Sequence, residues 1–212
     1  MQKFDYKKEL KHLYKPSVKN IETIDVPKMN FLMVDGHGDP NKEKSFEEAI
    51  TVLYSVSYTL KFMIKKGEVE IPHGQVLDYV VRPLEGLWWA EDMMDFDKGN
   101  KDNWSWTLMI AQPDVADSEM VATAINKAKS KKPLLEFEKL NFKDFTEGRS
   151  AQIMYMGPYS DEGPTIKKIH HYIKEQNGSL SGKHHEIYLS DLRRTAPEKL
   201  KTIIRQPFQE SP

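Results

Sequence analysis

Cysteine is absent from all 212 residues, which excludes disulfides and thiolate metal centres. That absence fits a reducing cytosol. An excess of charge is missing too: 31 basic and 32 acidic side chains leave a net charge of −1. Phosphate backbones are held by clustered positive charge, so direct nucleic-acid binding is not expected. The basic run from Lys127 to Lys132 reads as a solvated helix end. No stretch approaches the ~18 consecutive apolar residues of a membrane span. The opening Met1-Gln2-Lys3-Phe4-Asp5-Tyr6 lacks a signal-peptide core. A glycine-rich phosphate loop is also lacking, because no Gly-Lys-Ser/Thr follows Gly36-His37-Gly38 at the start of a helix. The expected setting is cytoplasmic, with no membrane and no nucleic acid as partner.

Hydrophobic periodicity is present instead. Residues 4–13 read as a short polar helix, and 21–26 and 30–35 as extended segments separated by Pro27. Phe46, Ala49, Ile50, Leu53, Leu60, Met63 and Ile64 recur at helical spacing, from a Ser45 N-cap to the Lys65-Lys66-Gly67 stop. Strands are predicted over 77–82, 84–90 and 103–112, with a hairpin signal at Asp97-Lys98-Gly99-Asn100. A helix over 117–128, strands over 135–142 and 150–156, a helix over 160–175 and strands over 185–189 and 201–205 follow. Both halves can be written strand, helix, strand, strand. The connections favour an antiparallel or mixed sheet with helices on one face.

Three segments carry side chains suited to chemistry. All four tryptophans fall between positions 88 and 106, and strand alternation points Trp88 and Trp89 to opposite faces. These rings serve equally as core or as a ligand cleft. In Lys183-His184-His185-Glu186-Ile187-Tyr188-Leu189, alternation puts Glu186 and Tyr188 on one face and Ile187 and Leu189 on the other. A carboxylate beside a phenol there fits a solvated face or a ligand site. Tyr155 and Tyr159 bracket the strand-to-helix junction around Gly157-Pro158. The pairs His170-His171 and His184-His185 lack the i, i+4 spacing of metal ligands, so no metal is expected. Glu85, Glu91, Asp92 and Asp95 near the tryptophans offer a generic carboxylate pair of the kind glycosidases use.

Several motifs, taken in order, resemble GyrI-like small-molecule-binding domains. His185-Glu186-Ile187-Tyr188-Leu189-Ser190-Asp191 with Pro197-Glu198-Lys199-Leu200 resembles the closing signature, and Met156-Gly157-Pro158-Tyr159 the second-half motif. Val26-Pro27-Lys28-Met29-Asn30-Phe31-Leu32, Tyr58-Thr59-Leu60-Lys61-Phe62-Met63 and Pro83-Leu84-Glu85-Gly86-Leu87-Trp88-Trp89 resemble the stand-alone subfamily. The resemblance implies an α+β fold: two strand-helix-strand-strand repeats in pseudo-twofold arrangement, a mostly antiparallel sheet, and a ligand cleft between the repeats. It implies one domain over 1–212, with an N-terminal extension over 1–20 and repeats over about 21–130 and 131–212. The DNA-binding helices of the regulator members have no counterpart in this sequence.

The subfamily is similar to cyclopropanoid cyclopropyl hydrolases. The resemblance therefore implies a hydrophobic, aromatic small-molecule ligand and hydrolytic detoxification, with passive multidrug binding or effector sensing as the alternative. A protein target for the cleft is a third reading. Glu186 matches the family's drug-facing glutamate. Glu186 and Tyr155 are the expected catalytic residues; Trp88, Trp89, Trp106, Tyr155, Tyr188 and Glu186 are the expected ligand contacts. No cofactor is expected.

Overall fold

The computed structural model describes residues 3–71, 77–91, 100–191 and 193–210. The chain forms two compact units. The first holds the chain up to Tyr6, Met29–Arg82 and Trp89–Phe145; the second holds Lys7–Lys28, Pro83–Trp88 and the chain from Thr146 on. The family's strand-helix-strand-strand order is present twice along the sequence, but the compact units do not divide the chain near residue 130. Strand β1 (Glu22–Val26) joins the second unit, and β5 (Asn141–Phe145) the first. The fold is α+β with a mostly antiparallel sheet. Glu22–Val26 pairs with Gly148–Met156, Met29–His37 with Trp104–Ala111 and Asn141–Phe145, and Leu84–Ala90 with His184–Tyr188, all antiparallel. Lys201–Glu210 pairs antiparallel with Gly148–Met156, Gly178–Leu180 and His184–Tyr188.

In the first unit, β2 (Met29–His37) lies between β4 (Trp104–Ala111) and β5. Helix α3 (Lys44–Lys66) packs on β2 and β4, and α4 (Ser118–Lys131) packs on α3. The apolar spacing of α3 buries Leu53, Val56, Leu60 and Ile64. Its end is closed by Gly67 in the left-handed region, whose N–H reaches Ile64 O, while Glu68 N–H reaches Met63 O. Helix α4 is capped by Asp117, whose carboxylate accepts from Met120 N at 2.8 Å. Strand β4 alternates in residue type, yet Trp106 through Ala111 are all buried, so both of its faces are covered.

In the second unit the strand order is β1, β6 (Gly148–Met156), β9 (Lys201–Glu210), β8 (His184–Tyr188) and the Leu84–Trp88 part of β3 (Leu84–Ala90). Helix α5 (Gly163–Glu175) packs Ile169 and Ile173 onto Ala151, Ile153, Ile204 and Phe208. Strand β7 (Gly178–Leu180), absent from the sequence expectation, extends β9 beyond residue 205. Pro207 falls between the β8 register, which ends at Arg205, and the β7 register, which starts at Phe208.

Three expectations are corrected. The helix over 4–13 is two single turns, α1 (Tyr6–Glu9) and α2 (Lys11–Tyr14), because Leu10 leaves helical geometry at φ −100, ψ 52. Residues 77–82 form no strand. Only Tyr79 bridges Phe4, and the segment is held by side chains: Asp78 pairs with Lys65 at 2.8 Å, and the Arg82 guanidinium lies over the Tyr6 ring at 3.8 Å. Residues 135–142 are not one strand either. Phe137 and Leu140 are buried three residues apart around a 3-10 turn (Phe137–Lys139), and β5 starts only at Asn141. The hairpin signal at 97–100 lies outside the described residues except for Asn100, as do Asp92 and Asp95.

Candidate functional site

The ladder between β3 and β8 places Gly86 opposite Glu186, Trp88 opposite His184 and Leu84 opposite Tyr188. Directly opposed residues share a face, so His184, Glu186 and Tyr188 stand beside Trp88. Tyr188 OH donates to Glu186 Oε2 at 2.8 Å, and Trp88 Nε1 donates to Tyr188 OH at 3.0 Å. His184 Nε2 lies 3.2 Å from Glu186 Oε1. Both carboxylate oxygens therefore have a fixed neighbour. The Glu186 side chain keeps 15% of its surface exposed, while Trp88 is 5% exposed. Burial and the Glu186 charge push the Tyr188 phenol well above its usual pKa, so it stays a proton donor. The Tyr159 ring meets Tyr188 edge-on, 5.5 Å between centroids. Its phenol is raised by burial and by the charges of Glu162 and Glu186.

Gly86 makes this possible. A Cβ there would sit 2.8 Å from Trp88 Nε1 and 3.0 Å from Tyr188 OH. Gly86→Ala is therefore expected to displace the indole–phenol hydrogen bond and to cost about 1–3 kcal/mol by overpacking. Thermal unfolding together with Trp emission measures this; unchanged values for both would refute the close approach.

Tyr155 is on the same face as Tyr188, through the Tyr155–Thr202 and Tyr188–Thr202 registers. Its hydroxyl crosses Gly157, which has φ +150, and donates to Pro158 O at 3.0 Å. Burial and the charges of Glu162 and Asp161 raise its pKa. Trp89 and Trp106 belong to the first unit. Trp106 is 1% exposed, packed edge-on against Phe46 and over Gly36. Of the expected site residues, the second unit brings together Glu186, Tyr188 and Trp88 in one hydrogen-bonded chain.

The opposite face of the same strands holds a group the sequence reading did not assemble. His185 Nε2 lies 3.0 Å from Glu85 Oε2, and its Nδ1 lies 2.9 Å from Glu147 Oε1. Arg205 donates to Glu147 Oε2 at 3.0 Å, to Gln152 Oε1 and to Leu13 O at 2.8 Å. Tyr14 OH donates to Glu85 Oε1 at 3.3 Å. The side chains of His185, Glu85, Glu147 and Arg205 are 1–2% exposed. Burial alone would neutralise His185, but the Glu147 charge and hydrogen bonds to Glu147 and Glu85 carry its pKa up to about 9. Burial likewise opposes the Glu147 charge, yet His185 and Arg205 bring its pKa down to about 2. Two carboxylates are thus balanced by one imidazolium and one guanidinium. Both nitrogens of His185 are engaged by carboxylates, and among the described residues no cluster forms a metal-ligand set.

With this geometry in view, the chain belongs to the GyrI-like small molecule binding domain family, whose sequence model matches residues 19–209. It is similar in structure to an uncharacterized conserved protein from Listeria innocua: 41% identity, TM-score 0.87, covering 98% of this chain and 100% of that one. It is also similar to two Listeria innocua structures each described as a hydrolase, both at 40% identity over the same shares, with TM-scores of 0.84 and 0.87. No curated protein matches. No helix among the described residues is long and apolar enough to cross a membrane.

Proposed function

We propose that the protein binds planar, hydrophobic aromatic xenobiotics and hydrolyses cyclopropanoid DNA-alkylating compounds. The carrying observation is the Trp88–Tyr188–Glu186 chain, which holds a partly exposed carboxylate among aromatic rings. The similarity to a hydrolase over nearly the whole chain supports turnover. In this reading Glu186 accepts a proton from water as the water oxygen attacks a cyclopropane carbon. The C–C bond breaks, and its electron pair moves into the conjugated carbonyl, which becomes a phenolate. Tyr155, released from Pro158 O, donates to that oxygen. The phenolate takes up the proton released by water, so one water is added overall. Strain relief supplies much of the drive, and aromatic surface holds the flat ligand by area burial.

Incubation with a cyclopropanoid, followed by chromatography of the ring-opened product, tests this. Many equivalents should be converted. Glu186→Gln should lower kcat by about 100-fold or more, the usual scale for a lost general base, with affinity nearly kept. Stoichiometric protection without turnover would instead establish the alternative, a non-catalytic drug-binding or effector-sensing protein in which Glu186 pairs a ligand cation amid aromatic rings. Full turnover in Glu186→Gln would remove Glu186 from the mechanism.

A further inference from the structure

A groove of about 820 Å³ runs between α5, the end of β6 and residues 18–21. Glu186, Tyr188 and Trp88 do not line it; Tyr155 does. Its floor is apolar, since Ile21, Tyr155 and Tyr172 are the half-buried margin of the α5 core. Val18 and Met156 stand at its mouth, 53% and 49% exposed. Two large apolar side chains left in water beside one groove mark a surface suited to an apolar ligand.

The rim is preformed. Ser17 O accepts from Met154 N at 2.9 Å, and Ser17 Oγ accepts from the backbone N–H of Lys19 and of Asn20 at 3.0 Å. Thr23 Oγ1 and Tyr172 OH are 3.0 Å apart. The charge on this rim is mostly positive. Lys19, Lys167 and Lys168 line the groove, and their ammonium groups enter no ion pair among the described residues. The one carboxylate in the lining, Glu175, is already held by His171 at 3.2 Å.

We propose that this groove binds an amphipathic organic anion: an apolar body of drug size bearing one carboxylate or sulfonate. The volume falls within the ~300–1,000 Å³ of small-molecule pockets. The apolar floor suits the body, and three ammonium groups suit the head. A second copy of the chain fits poorly, because a self-complementary contact would set these lysines against each other. The Glu186 carboxylate disfavours an anionic head, whereas the lysines of the groove favour one. The two sites are therefore separable by probe charge.

Titration with 1-anilinonaphthalene-8-sulfonate, read by fluorescence and competed with laurate, tests the assignment. One saturable site displaced by laurate is expected, weakening as salt rises. The variant Lys19→Glu/Lys167→Glu/Lys168→Glu should weaken it by about tenfold or more, as expected from reversing several exposed charges. Lys167→Gln/Lys168→Gln, a milder change, should weaken it less while keeping the same circular dichroism. Glu186→Gln should leave the affinity unchanged, which keeps this inference independent of the proposed hydrolysis. Equal affinity in the lysine variants, loss of binding in Glu186→Gln, or no saturable site would overturn it. So would dimerisation, capture of an acidic peptide, or co-sedimentation with anionic vesicles in the absence of laurate binding.

Discussion

Replacing Arg205 by methionine is expected to remove about 3–5 kcal/mol of folding stability, the range for breaking a buried ion pair by deleting one partner. The guanidinium is 2% exposed and serves Glu147, Gln152 and Leu13 O together. Without it, Glu147 keeps only His185, and both Gln152 Oε1 and the Leu13 carbonyl lose a donor inside the protein. The loss reaches the N-terminal turns as well, because Gln152 Nε2 holds His12 O at 2.6 Å. Arg205→Lys should fall between wild type and methionine, since a single ammonium cannot reproduce the fork. Glu147→Gln/Arg205→Met should cost less than the sum of its parts. Urea denaturation near neutral pH measures each. A cost below about 1 kcal/mol for Arg205→Met, the level of an exposed pair, would show that the network is not holding the unit.

Stability should also depend on pH at both edges of this network. Glu147 titrates at about 2 when folded against an ordinary 4.5. Its contribution is complete above 4.5 and is lost as pH falls through 2. His185 has the opposite sign: its pKa rises from 6.5 to about 9. Its contribution is complete below 6.5 and is lost as pH rises through 9. Each edge should appear as a fall in stability in the direction given by its shift. The two describe one coupled interaction and do not add. Urea midpoints across pH 2–10 should decline on both sides of the 4.5–6.5 window. His185→Gln should flatten the alkaline decline from 6.5 to 9. An alkaline limb with the same slope in wild type and variant would assign that decline to other groups.

Local periodicity made much of the fold legible. Helix α3 announced both its buried stripe and its Lys65-Lys66-Gly67 end, and β6, β8 and α5 followed their apolar spacing. Segments that owe their shape to distant partners were not legible. Residues 77–82 carry the apolar and β-branched side chains of a strand, yet they find only Phe4 to pair with and are held by side-chain contacts. Phe137 and Leu140 fit a strand or a tight turn equally well in sequence. At the site, alternation alone put Glu186 beside Tyr188, and the family motif singled it out. The Trp88 indole bond and the need for Gly86 depend on the register between strands 100 residues apart. Glu147 and Arg205 carry no local pattern in the sequence that pairs them. The available signal was Arg205 directly after Ile203-Ile204 on a strand, where a cation beside apolar residues points to a buried acid.

The alternation in β8 has a consequence for folding fidelity. His185 and Glu186 are consecutive, one facing the buried charges and the other the aromatic chain. A slip of β8 by one residue would exchange their environments, setting Glu186 among Glu85 and Glu147 and turning His185 toward Trp88. Three carboxylates would then share a dry interior with one guanidinium. Misregistered pairing is thus penalised electrostatically, and the buried charges select the one alignment that keeps the Glu186 carboxylate out of that interior.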